Sequence, residues 1–206
     1  MKVSVSTWLI NGQLEKIQEI ESPVALEIFP LWEEDAFEPF LINNEGMLRS
    51  CTRSFHGPYT DIENWGKKGS AMYRMALDQN KKTLEWMQRL GAEYFIFHHN
   101  NCPIDEEEKD EAVKSANENL LELNEIAQRM GLKILVENAG VASRSNVLLD
   151  QEDFLGFFSC MPNRALIDTG HLACNGWDIE TVLCALSSKI DAYHVHNNNG
   201  INDLHQ

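Results

Sequence analysis

Three features of the sequence predict an alternating α/β protein built on a parallel sheet. Short apolar runs recur from end to end. Helical stretches separate most of them. The runs finish, one after another, on a histidine or a carboxylate. The runs lie at 3–8, 24–29, 51–56, 93–98, 133–137, 165–168 and 191–196, rich in β-branched or aromatic residues and mostly unbroken. Continuous apolar runs of that length suit strands buried on both faces. Seven such units in alternation with helices indicate βαβ architecture, as an open doubly wound sheet or a closed eight-stranded barrel; periodicity does not separate the two. GxGxxG and GxxxxGK[ST] are both absent, which removes the common nucleotide-binding reasons for an open sheet.

The helices follow from spacing and punctuation. Residues 70–90 place Met72, Met75, Ala76, Leu84 and Met87 at roughly helical intervals, and 106–130 do the same with Ala112, Ala116, Leu120, Leu123 and Ala127. Gly91 and Gly131 close them as helix stops. Asp105 to Glu108, after Pro103, reads as a first helical turn, where negative charge complements the macrodipole. A shorter helix is expected over 178–187, and 33–49 reads as a long irregular loop.

Composition bounds the function. The 206 residues suit one domain spanning 1–206, with 43% hydrophobic and 24% charged residues. The net charge is −15 and the 17 Lys and Arg are scattered, so no nucleic-acid partner is expected. The 5 cysteines are odd in number and form no CxxC, which fits a reducing cytoplasm better than a disulfide framework. Cys102 and Cys174 lack the paired spacing of a zinc site. No apolar run approaches the ~18 residues of a membrane span, and the first dozen residues lack a signal-peptide pattern. The expected protein is soluble and cytoplasmic.

The chemistry gathers at the C-terminal ends of the strands. The third run ends on His56, the fourth on His98 followed by His99, the fifth on Glu137 and Asn138, and the sixth on Asp168, with His171 three residues on. The seventh carries His194 and His196, whose alternation puts both on one side of a strand. Asp203 and His205 follow. One histidine after an apolar run is usually a structural residue. Five consecutive strand ends of this kind converge, in a barrel, on the face where barrel active sites sit. Imidazoles and carboxylates together there are ligands for a divalent cation. Trp8 and Trp32 stand where their rings would wall a pocket, and Trp65 and Trp177 where they would line its entrance. Asn138 is placed to orient Glu137 or touch substrate. Glu27, inside the second run, reads as a supporting acid or a buried partner of Arg53.

These segments resemble the xylose-isomerase-like barrel superfamily, which includes sugar-phosphate isomerases and epimerases and the endonuclease IV type of repair nuclease. The resemblance rests, in order, on His56-Gly57-Pro58, Phe97-His98, Ile134 to Asn138, Asp168-Thr169-Gly170-His171, His194-Val195-His196-Asn197 and Asp203-Leu204-His205. It implies a (β/α)8 TIM-barrel type fold, with seven β units visible and the eighth strand missing from this sequence, which then reads as C-terminally truncated. In the isomerase branch it implies one Mn, Co, Mg or Zn ion held by residues resembling Glu137, Asp168 and His194, with a further glutamate on the eighth strand. The reaction implied is isomerisation or epimerisation of a sugar, sugar phosphate or related hydroxy-ketone in carbohydrate metabolism. It proceeds by proton transfer through a metal-stabilised enediolate, with Glu137 as catalytic base and His171 on a substrate hydroxyl. In the nuclease branch, zinc ligands resemble His56, His98, His171, Asp203 and His205, and His196 is a further candidate; a dehydratase or lyase on the same site is a third possibility. A polyol-binding protein without catalysis is the non-enzymatic reading. Open strand edges expose a sheet to pairing, and a homodimer is one way to cover them.

Overall fold

The structure is a computed structural model that describes residues 3–10, 16 and 25–204. His205 lies outside the described residues, as does Val24 at the start of the second expected strand. Seven strands form one parallel sheet in sequential order: β1 (Ser4–Ser6), β2 (Ala25–Ile28), β3 (Thr52–His56), β4 (Tyr94–Phe97), β5 (Lys133–Glu137), β6 (Arg164–Asp168) and β7 (Ile190–His194). Between them run helices α1 (Phe37–Asn43), α2 (Glu45–Cys51), α3 (Ala71–Leu90), α4 (Lys109–Arg129), α5 (Gln151–Cys160), α6 (Thr169–Cys174) and α7 (Ile179–Ala185). The sheet curls toward a barrel, because His194 on β7 reaches Glu27 on β2 at 3.1 Å.

The period of two along each strand sorts the side chains into two layers. Phe55, Phe95, Phe97, Val136 and Ile167 face outward into the main core, against Leu84 and Met87 of α3, Leu120 and Leu123 of α4 and Phe154 of α5. Ile96, Leu135 and Leu166 form a separate small cluster with Tyr94 and Ala192. Two residues further along the same strands come His98, Glu137 and Asp168. The inward residues are therefore apolar at the floor and ionisable at the rim, and the register pairs them as neighbours: Glu137 with Leu166, Asp168 with His194.

The two long helices start and stop as the sequence suggests. Ser70 accepts from the Tyr73 amide at 3.1 Å to start α3. Gly91 ends that helix in the left-handed region at φ 74°, open to glycine without strain. Acidic residues 106–108 form a 3-10 turn leading into α4. Two stretches differ from expectation. The expected loop over 33–49 contains α1 and most of α2, neither of which has a side-chain cap. Pro39 sits in the first turn of α1, where its missing N–H costs nothing. The helix α5, capped by Asp150, was not anticipated.

The seventh strand also differs from expectation. Flanking strands should bury it, yet its burial alternates between half-buried and exposed, and Tyr193 is 53% exposed. It pairs only with β6, so it is a sheet edge among the described residues. Among the described residues no helix is long and apolar enough to cross a membrane, and all five cysteines are free.

Candidate metal centre

Glu137 is the hub. It ends β5, is 2% exposed, and gathers four imidazoles from four other segments of the chain. His98 Nε2 lies 2.9 Å from its Oε2, His194 Nδ1 3.4 Å from the same oxygen, and His171 Nδ1 3.4 Å from Oε1; His56 Nε2 stands at 4.0 Å. Asp168, 1% exposed at the end of β6, is the second hub, with His196 Nε2 at 3.1 Å and His194 Nδ1 at 3.7 Å. The donor atoms fall into three overlapping triads: Glu137, Asp168 and His194; His56, His98 and Glu137; Asp168, His171 and His196. Four donors on bonds of ~2.1 Å around a tetrahedral ion stand ~3.4 Å apart. The contacts of His194 to Glu137 and Asp168 match that spacing, so the residues present fit a divalent cation.

The backing of each imidazole supports the same fit. A ligating histidine usually donates its other ring N–H to a protein acceptor, which fixes its tautomer. His56 Nδ1 faces the Gly57 carbonyl at 2.8 Å and His171 Nδ1 the Asn138 carbonyl at 3.1 Å. His98 Nδ1 faces Asn101 Oδ1 at 2.9 Å, and Asn101 uses its Nδ2 on the Ile62 carbonyl, which assigns that oxygen as acceptor. His56 and His98 thus turn their Nε2 atoms toward Glu137; in the metal-free protein His98 Nε2–H donates to Glu137 Oε2 at 2.9 Å, and that nitrogen becomes a ligand only once its proton is released. His171 is helical. It lies in the first turn of α6, whose N-cap is Asp168, with Asp168 Oδ1 accepting from the His171 amide at 2.8 Å. Gly170 between them leaves room for the site: a Cβ there would push the His196 ring aside.

The charges are arranged in compensating pairs. Burial raises the Glu137 carboxyl, but the His194 and His98 imidazoles beside it outweigh burial and hold it well below the usual carboxylate range. Burial pulls His171 down, yet its hydrogen bond to Asp203 and the charges of Asp168 and Glu137 push it up to about 9. Burial likewise opposes His194, and Glu27 and Glu137 carry it well above the ordinary histidine range. His56, buried and next to His98, drops to about 4. Protons therefore occupy the positions that a cation would take, and loading a metal must release them.

The cluster lies in a cavity of about 1420 Å³ that is also lined by Trp8, Phe29, Tyr59 and Arg144. The Trp8 and Phe29 rings stand 4.8 Å apart, and Phe29 stacks on His56 at 4.7 Å. Trp32 is elsewhere: its Nε1 donates to Thr83 of α3 at 2.8 Å and Lys82 covers its ring, so it belongs to the outer layer. Trp65 donates to Glu63, and Trp177 packs on Phe154 in the core; neither lines the cavity. Asn138 is also behind the wall. Its amide donates to the Asp168 carbonyl at 3.0 Å while its oxygen accepts from the Asp168 amide at 2.7 Å, clamping β5 to β6. Glu27 pairs with His194 and Ser54, whereas Arg53 pairs with Glu93 at 2.5 Å. Asp203 reaches the cluster, 3.6 Å from His171 Nε2 and 3.6 Å from His196 Nε2. Tyr59 and Arg144 were not anticipated. Arg144, 3.6 Å from Asp203, follows a glycine-containing turn with no apolar run to mark where it points.

Known proteins carry the same architecture. The sequence pattern of the xylose isomerase-like TIM barrel family matches residues 46–206. The uncharacterized protein MJ1614 of Methanocaldococcus jannaschii is 27% identical over 152 residues, covering 74% of this chain and 58% of that protein. The chain thus spans just under three fifths of the length of that curated relative. Among solved structures, a D-tagatose 3-epimerase-like protein superposes with a TM-score of 0.80 at 21% identity, over 100% of this chain and 79% of the other. The IOLI protein with a bound zinc atom superposes with a TM-score of 0.73 at 19% identity, over 96% and 73% of the two chains. The seven-stranded parallel sheet with its outer helices and the match over residues 46–206 together establish that this chain belongs to the xylose isomerase-like TIM barrel family.

Proposed function

We propose that this protein is a divalent-metal-dependent isomerase or epimerase of a sugar, sugar phosphate or related hydroxy-ketone. The observation that carries the reading is the triad of Glu137, Asp168 and His194, which brings two buried carboxylates and one imidazole together at the cavity. Solved structures of similar fold include sugar epimerases and a zinc-bound protein, which supports the same reading. A cation held there would supply Lewis acidity toward carbonyl and hydroxyl oxygens. The chain's own groups do the rest. Trp8 and Phe29 offer apolar rings at the cavity for a sugar face. His171 holds a substrate hydroxyl. Glu137 accepts a proton from the carbon next to the carbonyl once its histidine neighbours have surrendered theirs. The isomerase is cytoplasmic in this reading, acts on a small molecule and engages neither nucleic acid nor membrane.

A second reading has its own support. The overlapping triads that add His56, His98, His171 and His196 would accommodate more than one ion, as zinc-dependent phosphodiester hydrolysis requires. The net charge of −15 weighs against a nucleic-acid substrate. Elemental analysis of protein purified without a metal-affinity tag decides between them. About one ion per chain supports the isomerase, and two or three zinc ions support the hydrolase. No bound metal, even after reconstitution, would overturn both. Ketose turnover in deuterated water adds a test of mechanism: deuterium on the product carbon is expected, and product free of deuterium would rule out proton transfer.

A further inference from the structure

The site histidines are not backed alike. His56 and His171 have a backbone carbonyl behind the ring, at 2.8 and 3.1 Å, and His98 has the neutral amide of Asn101 at 2.9 Å. His196 faces the Asn197 carbonyl at 3.4 Å. His194 differs in two respects. A carboxylate, Glu27, stands behind its ring, with Nε2 at 3.1 Å from Oε1 and 3.2 Å from Oε2. It is also the reverse ring nitrogen, since Nδ1 is the atom turned to Glu137 and Asp168 at 3.4 and 3.7 Å.

Glu27 has no other evident reason to be where it is. It interrupts the apolar run of β2, is 6% exposed, and sits in a strand whose neighbouring residues Leu26 and Ile28 are each 1% exposed. Burying a carboxylate there is costly unless it is paired and hydrogen-bonded. Both conditions are met by the site: His194 supplies one partner, and Ser54 on β3, 0% exposed, donates its hydroxyl to Oε2 at 3.0 Å. Glu27 cannot itself join a cation at Nδ1, because it meets the ring on the opposite edge.

We infer that Glu27 is the positioning residue of the centre: it holds the Nε2–H tautomer of His194, and so presents a bare Nδ1 to the cation shared with Glu137 and Asp168. The inference rests on the metal-centre reading above. Ser54 aims the carboxylate, and β2 thereby contributes to a site whose ligands come from strands at the other end of the sheet. A carboxylate behind a ligating imidazole also raises its basicity, and losing such a partner typically costs 10–100-fold in metal affinity.

The test is Zn2+ affinity, by competition with a chromophoric chelator, on wild-type protein, Glu27→Ala and Glu27→Gln, with the thermal unfolding of each metal-free protein alongside. Glu27→Ala is expected to bind Zn2+ about 10–100-fold more weakly. Glu27→Gln keeps an acceptor for the Nε2–H and is expected to recover most of that loss. A purely structural role would instead lower the melting temperature of both variants and leave affinity unchanged, which overturns the inference. Wild-type protein loaded with 113Cd gives a measurement that requires no variant. Cadmium coupling to His194 Nδ1, with a proton on Nε2, is expected; coupling to Nε2 overturns the inference while leaving the metal centre standing. Wild-type protein that binds neither Zn2+ nor Cd2+ would remove the centre and the inference together.

Discussion

Strands β6 and β7 are neighbours in the sheet and each delivers a candidate ligand, yet they are built differently. In β6, Ala165, Leu166 and Ile167 are each fully buried and Asp168 is 1% exposed. In β7 the burial alternates, the His194 side chain is 23% exposed, and Val195 just beyond it is 79% exposed. The reason is topological: β6 lies between β5 and β7, while β7 has a partner on one side only among the described residues. The centre therefore combines a rigid half, comprising His56, His98, Glu137, Asp168 and His171, with an edge half of His194, His196 and Asp203. Buried carboxylates in the rigid half would be expensive alone. The imidazoles of the edge half help to compensate them.

That contrast can be broken most forcefully at its hub. Glu137→Gln removes a charge that His98, His171 and His194 all face within 3.4 Å. Metal affinity should fall by at least ~100-fold, since a direct ligand should matter at least as much as an outer-shell partner worth 10–100-fold. Unchanged metal content in that variant would sink the assignment of Glu137 as ligand. Next in size is a test of packing. Phe95→Ala in the centre of β4, 0% exposed, should cost ~3–5 kcal/mol of stability. Tyr193→Ala on β7, 53% exposed, should stay within ~0.5 kcal/mol. Denaturant titration of both variants checks this, and equal losses would mean that β7 is buried in the working protein by something paired to its free edge.

The exposure of β7 was not legible in the sequence, but much of the site was, and the gaps have identifiable causes. An apolar run that stops on a polar residue marks a strand end whatever surrounds it, so His56, His98, Glu137 and Asp168 could be placed by position alone. The segment from Asp168 to His171 was legible as a site but not as a helix start, because the same aspartate serves as strand end, cap and candidate ligand. Facing was harder. Trp32 follows β2 closely in sequence, yet chain proximity does not say which layer a side chain enters, and Trp32 turned outward to Thr83. Asn138 next to Glu137 had to point away from the cavity because adjacent residues alternate. Glu27 was visible as an anomaly in an apolar strand; its partner, 167 residues away, was not.

A smaller effect separates the ligand cluster from the wall behind it at the level of protons. In metal-free protein, His171 titrates at about 9 against 6.5 for an ordinary histidine. A raised folded-state value stabilises fully below the unfolded value and fades as pH climbs through about 9. His99, buried behind the site at 3.1 Å from Asn117 and against Phe157, behaves oppositely, because burial lowers it to about 4. The unfolded chain then takes up a proton at this position near 6.5 while the folded chain does not, so stability declines as pH falls from about 6.5 toward 4, by up to ~3 kcal/mol. The melting temperature of metal-free protein should peak near neutrality and fall on both sides. His99→Gln should make the acid limb shallower, leaving the part that His56 at about 4 supplies, and should leave the alkaline limb, to which His171 and His194 both contribute, in place. Loading Zn2+ should act on the other side of the profile: the cation displaces the His171 and His194 protons, so its stabilising effect should grow as pH rises from 6 to 9. If the alkaline limb is unchanged by metal, the cation binds away from these histidines.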